Sequence, residues 1–468
     1  MIPCTPDAYN LMHEGAITMS EISSNGFRID TDYLQRTKKD LEQKIVECRR
    51  KIKEHDYWRL WLRRFGQKAN LASPDQLRQL LYKELKYPIT TYTDTGKASV
   101  DVMALEKIDD PFCVSYTQMK QFEKASQTYL SGIERETKEG YLRNFFNLHT
   151  TVTWRSSSDS VNFQNIPIRN DVIAELIRKC FIPRKRRRLV ELDCAGVEVR
   201  ISACYHRDPM MIQYIMDPTT DMHRDMACEI FLCDKESVTK QARHAAKNNF
   251  VFPEFYGSYY PQVGADLWDV MRIRDLKIKF GQCEVCVRAH LQDQGIWDCG
   301  LRHEPDPGTF IHHIKTVEKR FWGERFKVYA EWKNETYSKY LREGGWRTKT
   351  GFYVEGIYRK NDVTNHPIQG SAFHCLLWAL IRLQKWLRKH KMKTKIVGQI
   401  HDSVVLDAVD SELQDVLHKW HQLMTVELRK AWRWIIVPIE IEAEVAGIDE
   451  SWYHKKPWHL TNNTWAGV

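Results

Sequence analysis

The sequence predicts a mixed α+β protein, helical in its first part and built on strands in its second. Two patterns carry this prediction. Leu34, Leu41, Ile45, Cys48 and Ile52 recur at steps of 7, 4, 3 and 4, which is one apolar stripe along a helix. Further on, residues 188–193 and 395–407 read as short apolar strands, the second stretch being divided by His401-Asp402-Ser403. At roughly 100 to 200 residues per domain, 468 residues make about three lobes. No Gly/Ser linker separates them, so they share one body.

Taken in order, Asn25-Gly26 is a turn signal, and Asp30 or Thr31 caps the helix that carries the stripe. Ser73-Pro74-Asp75-Gln76 puts a hydroxyl at the N-cap and proline at the first helical position, so another helix starts there. The first 135 residues are chiefly helical. Near residue 140 polar, Thr- and Ser-rich runs lead to the strand at 188–193, which ends on a carboxylate, and 198–204 opens a helix. Residues 209–250 and 310–343 read as helical, and 348–359, bounded by Gly351 and Gly356, as a hairpin. A helix follows Pro367, two short strands occupy 395–407, and 437–445 is the last strand.

Composition narrows the class. With 43% hydrophobic and 28% charged residues, the chain has the make-up of a folded protein. No run approaches 18 apolar residues and MIPCTPDAYN lacks a secretory pattern, so the expected setting is intracellular, with no membrane partner. Twelve scattered cysteines then read as free thiols. A formal charge of +9 biases the protein mildly toward a polyanion, and its 16 tryptophans can stack bases or simply fill cores.

Asp193 and Asp402 could converge at one sheet edge and hold two divalent ions for an in-line phosphoryl transfer. Equally, Asp193 could cap a helix and Asp402 support a turn. Arg243 and Lys247, four apart in TKQARHAAKNNF, share a helix face suited to clamping phosphates. Beyond them, Phe252-Pro253-Glu254-Phe255-Tyr256-Gly257 crowds aromatic rings at that helix's end.

LVELDCAGVEVR, TTDMHRDMACEIF, RHAAKNNFVFPEFYG, NHPIQGSA and QIHDSVVLD resemble, in this order, the motifs of family A (DNA polymerase I-like) DNA polymerases of bacteriophage type, and TVTWRSSSDSVNFQNIP resembles their primer-template segment. The resemblance implies a right-hand polymerase fold with helical thumb, antiparallel-sheet palm and mostly helical fingers. It also implies the activity: template-directed addition of deoxynucleotides to a primer 3′-hydroxyl, with primer-template DNA and dNTPs as partners and two Mg²⁺ ions as cofactor. The corresponding divisions are an N-terminal segment 1–30, thumb 31–135, palm 136–235, fingers 236–360 with an insertion 261–310, and palm again 361–468.

By the same resemblance Asp193 and Asp402 bind metal, with the carbonyl of Cys194 as a further ligand, and His401 contacts the primer terminus. Glu198, paired with Tyr256, becomes the gate against a ribose 2′-hydroxyl. Arg243, Lys247 and His223 contact the triphosphate. Arg155, Gln164, Asn165, Asn365 and Gln369 touch primer and template, where minor-groove contacts test pair shape without reading sequence. So few residues precede the thumb-like segment that no proofreading exonuclease is expected; a separately encoded 3′-5′ exonuclease or processivity factor would be a partner. A viral polymerase would work in the cytoplasm of a bacterial host. A single-subunit RNA polymerase, against which Glu198 argues, and an inert DNA-binding descendant of a polymerase remain alternatives.

Four departures from the family pattern stand out. Ser403 replaces a glutamate common among relatives, Trp154 replaces a glycine, and Cys194-Ala195-Gly196 are small. The interval from Lys247 to Tyr256 is one residue long, which predicts a π-bulge or break at 249–253. Outside the motifs, Cys283, Cys286, Cys299 and His303 have zinc-like spacing, C-x2-C-x12-C-x3-H, although LKIKFGQCEVCVRAHL reads equally well as an amphipathic helix. The basic run 184–188 reads as a localisation signal or as a turn facing DNA or solvent.

Overall fold

The computed structural model describes residues 4–89, 92–93, 95–167, 171–300 and 306–467. Its centre is a six-stranded antiparallel sheet in the spatial order Lys395–Ile400, Ser403–Val409, Arg187–Ala195, Glu440–Val445, Lys456–Thr461, Thr464–Gly467. Register alternates the two faces. Val190, Leu192 and Cys194 point into the core with Val404, Leu406 and Ala443, so Glu191, Asp193, Ser403 and Glu442 share the other face.

Behind the sheet lies the 30-residue helix Lys360–Lys389, buried along most of its length. It starts well before Pro367, where the sequence suggested it would begin. The proline costs one amide bond within the helix, and burial on both sides of it holds the helix continuous. Pro6–Asn25 forms a helix packed against this one and against the sheet's edge strand.

The N-terminal lobe is helical as expected. Asp30 accepts from the Tyr33 amide at the start of Thr31–Glu54, and Ser73 caps the helix that begins at Pro74. The apolar stripe serves two cores. Leu34 and Leu41 pack with Phe27, Phe163 and Phe181, whereas Ile45, Cys48 and Ile52 join Trp61, Leu77 and Phe112. One helix therefore ties this lobe to the body.

Several elements differ from expectation. The strand through Asp193 runs on to Ala195, and 440–445 is followed by two more strands. The helical stretch 209–250 is broken into Pro209–Met216, Met222–Phe231, Lys240–Ala246 and a π turn at Lys247–Val251. The 348–359 hairpin pairs Gly345–Arg347 with Tyr353–Glu355, so most of the expected span is turn. Residues 277–286 are not an amphipathic helix. Lys277–Phe280 pairs with Cys283–Cys286, because Gly281, at φ +61°, allows a tight turn between two alternating tetrapeptides. The basic run 184–188 is tied down at Arg184 by Asp407 and at Arg188 by Asp410.

Candidate active site

Asp193 and Asp402 meet at one end of two neighbouring central strands of the sheet. Asp193 lies opposite Ser403, and the amide of Cys194 donates to the carbonyl of Asp402 at 3.2 Å. Asp402, the residue before Ser403, acts on the Asp193 carboxyl through its charge, so the two carboxylates are neighbours. His401 is exposed at the turn, with φ +50°. The Cys194 thiol is buried behind the sheet, which leaves only its backbone on this side.

Negative charge accumulates here. Burial, and then the carboxylates of Asp402, Glu191 and Glu442, push Asp193 up to about 7. Arg155 answers part of this charge, 3.1 Å from Asp402 and 3.3 Å from Glu198. An excess of hard oxygen donors suits Mg²⁺, so the residues fit the expected ion. Among the described residues no three His, Cys, Asp or Glu side chains form a metal-holding cluster. Of the cysteine and histidine array, Cys283 and Cys286 are free thiols on the hairpin, and His303 lies outside the described residues.

Glu198 opens the Val197–His206 helix, its carboxyl raised by burial, and accepts a hydrogen bond from the hydroxyl of Tyr256. The π turn that brings Tyr256 round begins at Lys247, two residues before the expected place; Phe255 turns into the core while Tyr256 stays 46% exposed. Both line a cavity with Phe252, Tyr329, Asn365 and Gln369. Arg243 pairs with Asp221 at 2.7 Å, and Lys247 lies over the Phe252 ring. His223 is held down to about 4 by burial and by Lys247 and Arg243, so it is neutral near pH 7.

Gln164 and Asn165 sit on the turn Phe163–Asn165. Gln164 donates to Ser156, the Ser156 hydroxyl bonds Gln399 at 2.5 Å, and Gln399 donates to the carbonyl of His401. Ser156, Gln399 and Asp221 escaped the sequence reading; only Asp221 carried a signal, as an N-cap before the helix at Met222. Trp154 adopts φ +60°, a left-handed conformation that glycine enters freely, and its carbonyl accepts from His374 at 3.1 Å. Gly370 is required nearby, since a Cβ there would lie 2.3 Å from the carbonyl oxygen of Thr153.

Ser403 does not replace the charge of a glutamate. Its hydroxyl lies 2.9 Å from the carbonyl of Ile400 and 3.2 Å from Glu191, whose carboxylate also receives Trp452 and Lys455.

The fold is the right-hand form of nucleic-acid polymerases. It resembles the polymerase domain of Pol1 from M. smegmatis, solved with DNA primer-template and dNTP, with a TM-score of 0.71 at 20% identity over 95% of this chain and 70% of that one. The chain belongs to DNA polymerase family A, whose family model matches residues 31–268 and 353–454. DNA polymerase I of Caldicellulosiruptor bescii is 27% identical over 443 residues, covering 93% of this chain and 46% of that protein. The enzyme of Bacillus subtilis is 26% identical, covering 94% and 45%, and the thermostable enzyme of Thermus aquaticus is 25% identical, covering 94% and 47%. The chain thus spans less than half the length of these curated relatives. Among the described residues no helix is long and apolar enough to cross a membrane.

Proposed function

We propose that this chain is a template-directed DNA polymerase that extends a primer 3′-hydroxyl with deoxynucleotides and releases pyrophosphate. The observation that carries the reading is the meeting of Asp193, on a strand, with Asp402, distant in sequence and in the turn that leads into the neighbouring strand, beside Arg155 and Glu198. In this reading residues 31–135 act as thumb, 136–235 and 361–468 as palm, and 236–360 as fingers, with 1–30 bracing the palm. The insertion 261–310 falls largely in the stretch 269–352 that the family match leaves out.

Asp193 and Asp402, with the Cys194 carbonyl, would hold two Mg²⁺ ions. Such ions lower the pKa of an attacking hydroxyl and stabilise the entering and leaving oxygens of an in-line displacement. Arg243, Lys247 and neutral His223 bind the triphosphate, and Arg243 exchanges Asp221 for phosphate as it does so. Glu198 and the Tyr256 hydroxyl close the space a 2′-hydroxyl would need. Bonded to each other, they leave such a hydroxyl no partner, which disfavours ribonucleotides. Arg155 turns from Asp402 to the primer, while Gln164, Asn165, Asn365 and Gln369 follow the minor-groove side of the duplex and His401 meets the primer end. The bacteriophage type rests on the motif residues, and the intracellular setting on the substrates.

Primer extension with Mg²⁺ tests the reading. Asp193→Ala and Asp402→Ala should each abolish extension while primer-template binding survives. Retained extension in either variant, or a wild type that favours ribonucleotides, would reject it.

A further inference from the structure

The chain end that carries Tyr256 poses an accounting question. Past the π turn, the short helix Phe252–Phe255 stops and its last carbonyls need donors. Those of Phe252, Pro253 and Glu254 are taken by the amides of Tyr256, Ser258 and Gly257 at 3.0, 2.8 and 3.1 Å. The next three carbonyls receive side chains instead. Phe255 accepts from Lys333 Nζ at 3.2 Å, Tyr256 from Asn365 at 3.3 Å, and Gly257 from Asn361 at 3.2 Å. The backbone of the tyrosine is thus held on both sides by other elements.

Lys333 is the member of this set that lies outside the family match, on the helix Lys327–Glu343. Its ammonium stands over Trp322 and Tyr329, 4.1 and 4.7 Å from the ring centres, which fixes the head on two aromatic faces. Trp322 in turn donates to Glu254 at 2.8 Å, on the same short helix, and Glu254 is 1% exposed. A cation at a helix C-terminus is also favoured by the helix dipole.

We propose that Lys333 is a positioning residue for sugar selection: by bonding the Phe255 carbonyl it sets the pose in which Tyr256 meets Glu198. The inference rests on the reading of Tyr256 and Glu198 as the ribose gate, and it adds a residue on another helix that keeps the gate closed. Without the lysine, the helix end loses its donor next to Tyr256 and the hydroxyl strays from Glu198. Deoxynucleotide binding weakens and ribonucleotides gain entry.

The test is single-nucleotide incorporation by the full chain on primer-template with Mg²⁺. Lys333→Met should raise KM for dNTP by about tenfold, as expected for loss of a charged hydrogen bond, and raise the ribo-to-deoxy ratio similarly, with kcat changed far less. Lys333→Arg, which keeps cation and donor, should stay near wild type. Should Lys333→Met fail to fold because the buried Glu254 is left without a nearby cation, the double variant Lys333→Met/Glu254→Gln removes both titratable groups and should show the same rise. Tyr256→Phe and Glu198→Ala probe the gate itself. If neither shifts the ribo-to-deoxy ratio, the gate reading fails and the proposal falls with it. If both do, while Lys333→Met or the double variant stays within about twofold of wild type, the gate stands and Lys333 does not position it.

Discussion

Ser403→Glu, the change that would restore the residue the family resemblance leads one to expect, should weaken this protein. Ser403 is 3% exposed and faces Asp193 across the sheet, with Glu191 3.2 Å from its hydroxyl. Lys455, which pairs with Glu191, is already shared with Glu444. A new carboxylate about 5 Å from either acid repels it by about 3 kcal/mol at an effective dielectric constant near 20, before any cost of burial. The side chain escapes by taking a proton, which at pH 7.5 costs about 4 kcal/mol and so caps the loss. The expected outcome is a fall of about 3 to 4 kcal/mol in unfolding free energy without Mg²⁺. Ser403→Ala, which loses one hydrogen bond, should cost about 1 kcal/mol. Urea unfolding in EDTA measures both, and the deficit of Ser403→Glu should shrink when Mg²⁺ is added, since a cation bound to the fold neutralises the cluster. A glutamate variant as stable as wild type in EDTA would refute the reasoning.

Other outcomes follow from the same geometry. Because its folded pKa is raised from 3.8 to about 7, Asp193 favours the metal-free fold while protonated, and that contribution is lost as pH rises through 7. Mg²⁺ must displace this proton, so its affinity, read by calorimetry without DNA, should fall by up to about tenfold per pH unit below 7; equal affinity at pH 6 and 8 would contradict the assignment. Glu198→Ala should raise ribonucleotide incorporation relative to deoxynucleotide in a primer-extension assay, and an unchanged ratio would remove the gate. Trp154→Gly relieves a left-handed backbone worth about 1 kcal/mol but deletes a ring packed 5.0 Å from that of Phe352, so chemical denaturation should show a net loss of about 2 kcal/mol. A more stable glycine variant would mean that strain outweighs packing.

The helix caps at Asp30 and Ser73 and the stripe from Leu34 to Ile52 were legible because each is settled within a turn or two of chain. Expectation failed where distant partners decide. Pro367 reads as a helix start, yet burial against the sheet carries the helix through it. The stretch LKIKFGQCEVCVRAHL read as an amphipathic helix, but the alternating tetrapeptides around Gly281 closed into a hairpin. The π turn was foreseen from a one-residue surplus; its starting point was not, since that depends on which turn best buries Phe250 and Phe255.

By itself the sequence determined the residue types and their spacing: two aspartates on strand-like segments, a basic pair on one helix face, a glutamate opening a helix. Those are local facts, governed by propensity and periodicity. Only the tertiary structure decided that Asp193 faces Ser403, that Arg155 spans Asp402 and Glu198, and that Lys333 caps Phe255. Each of these contacts closes a long loop of chain, and its register is chosen by the burial of whole faces rather than by the residues that meet.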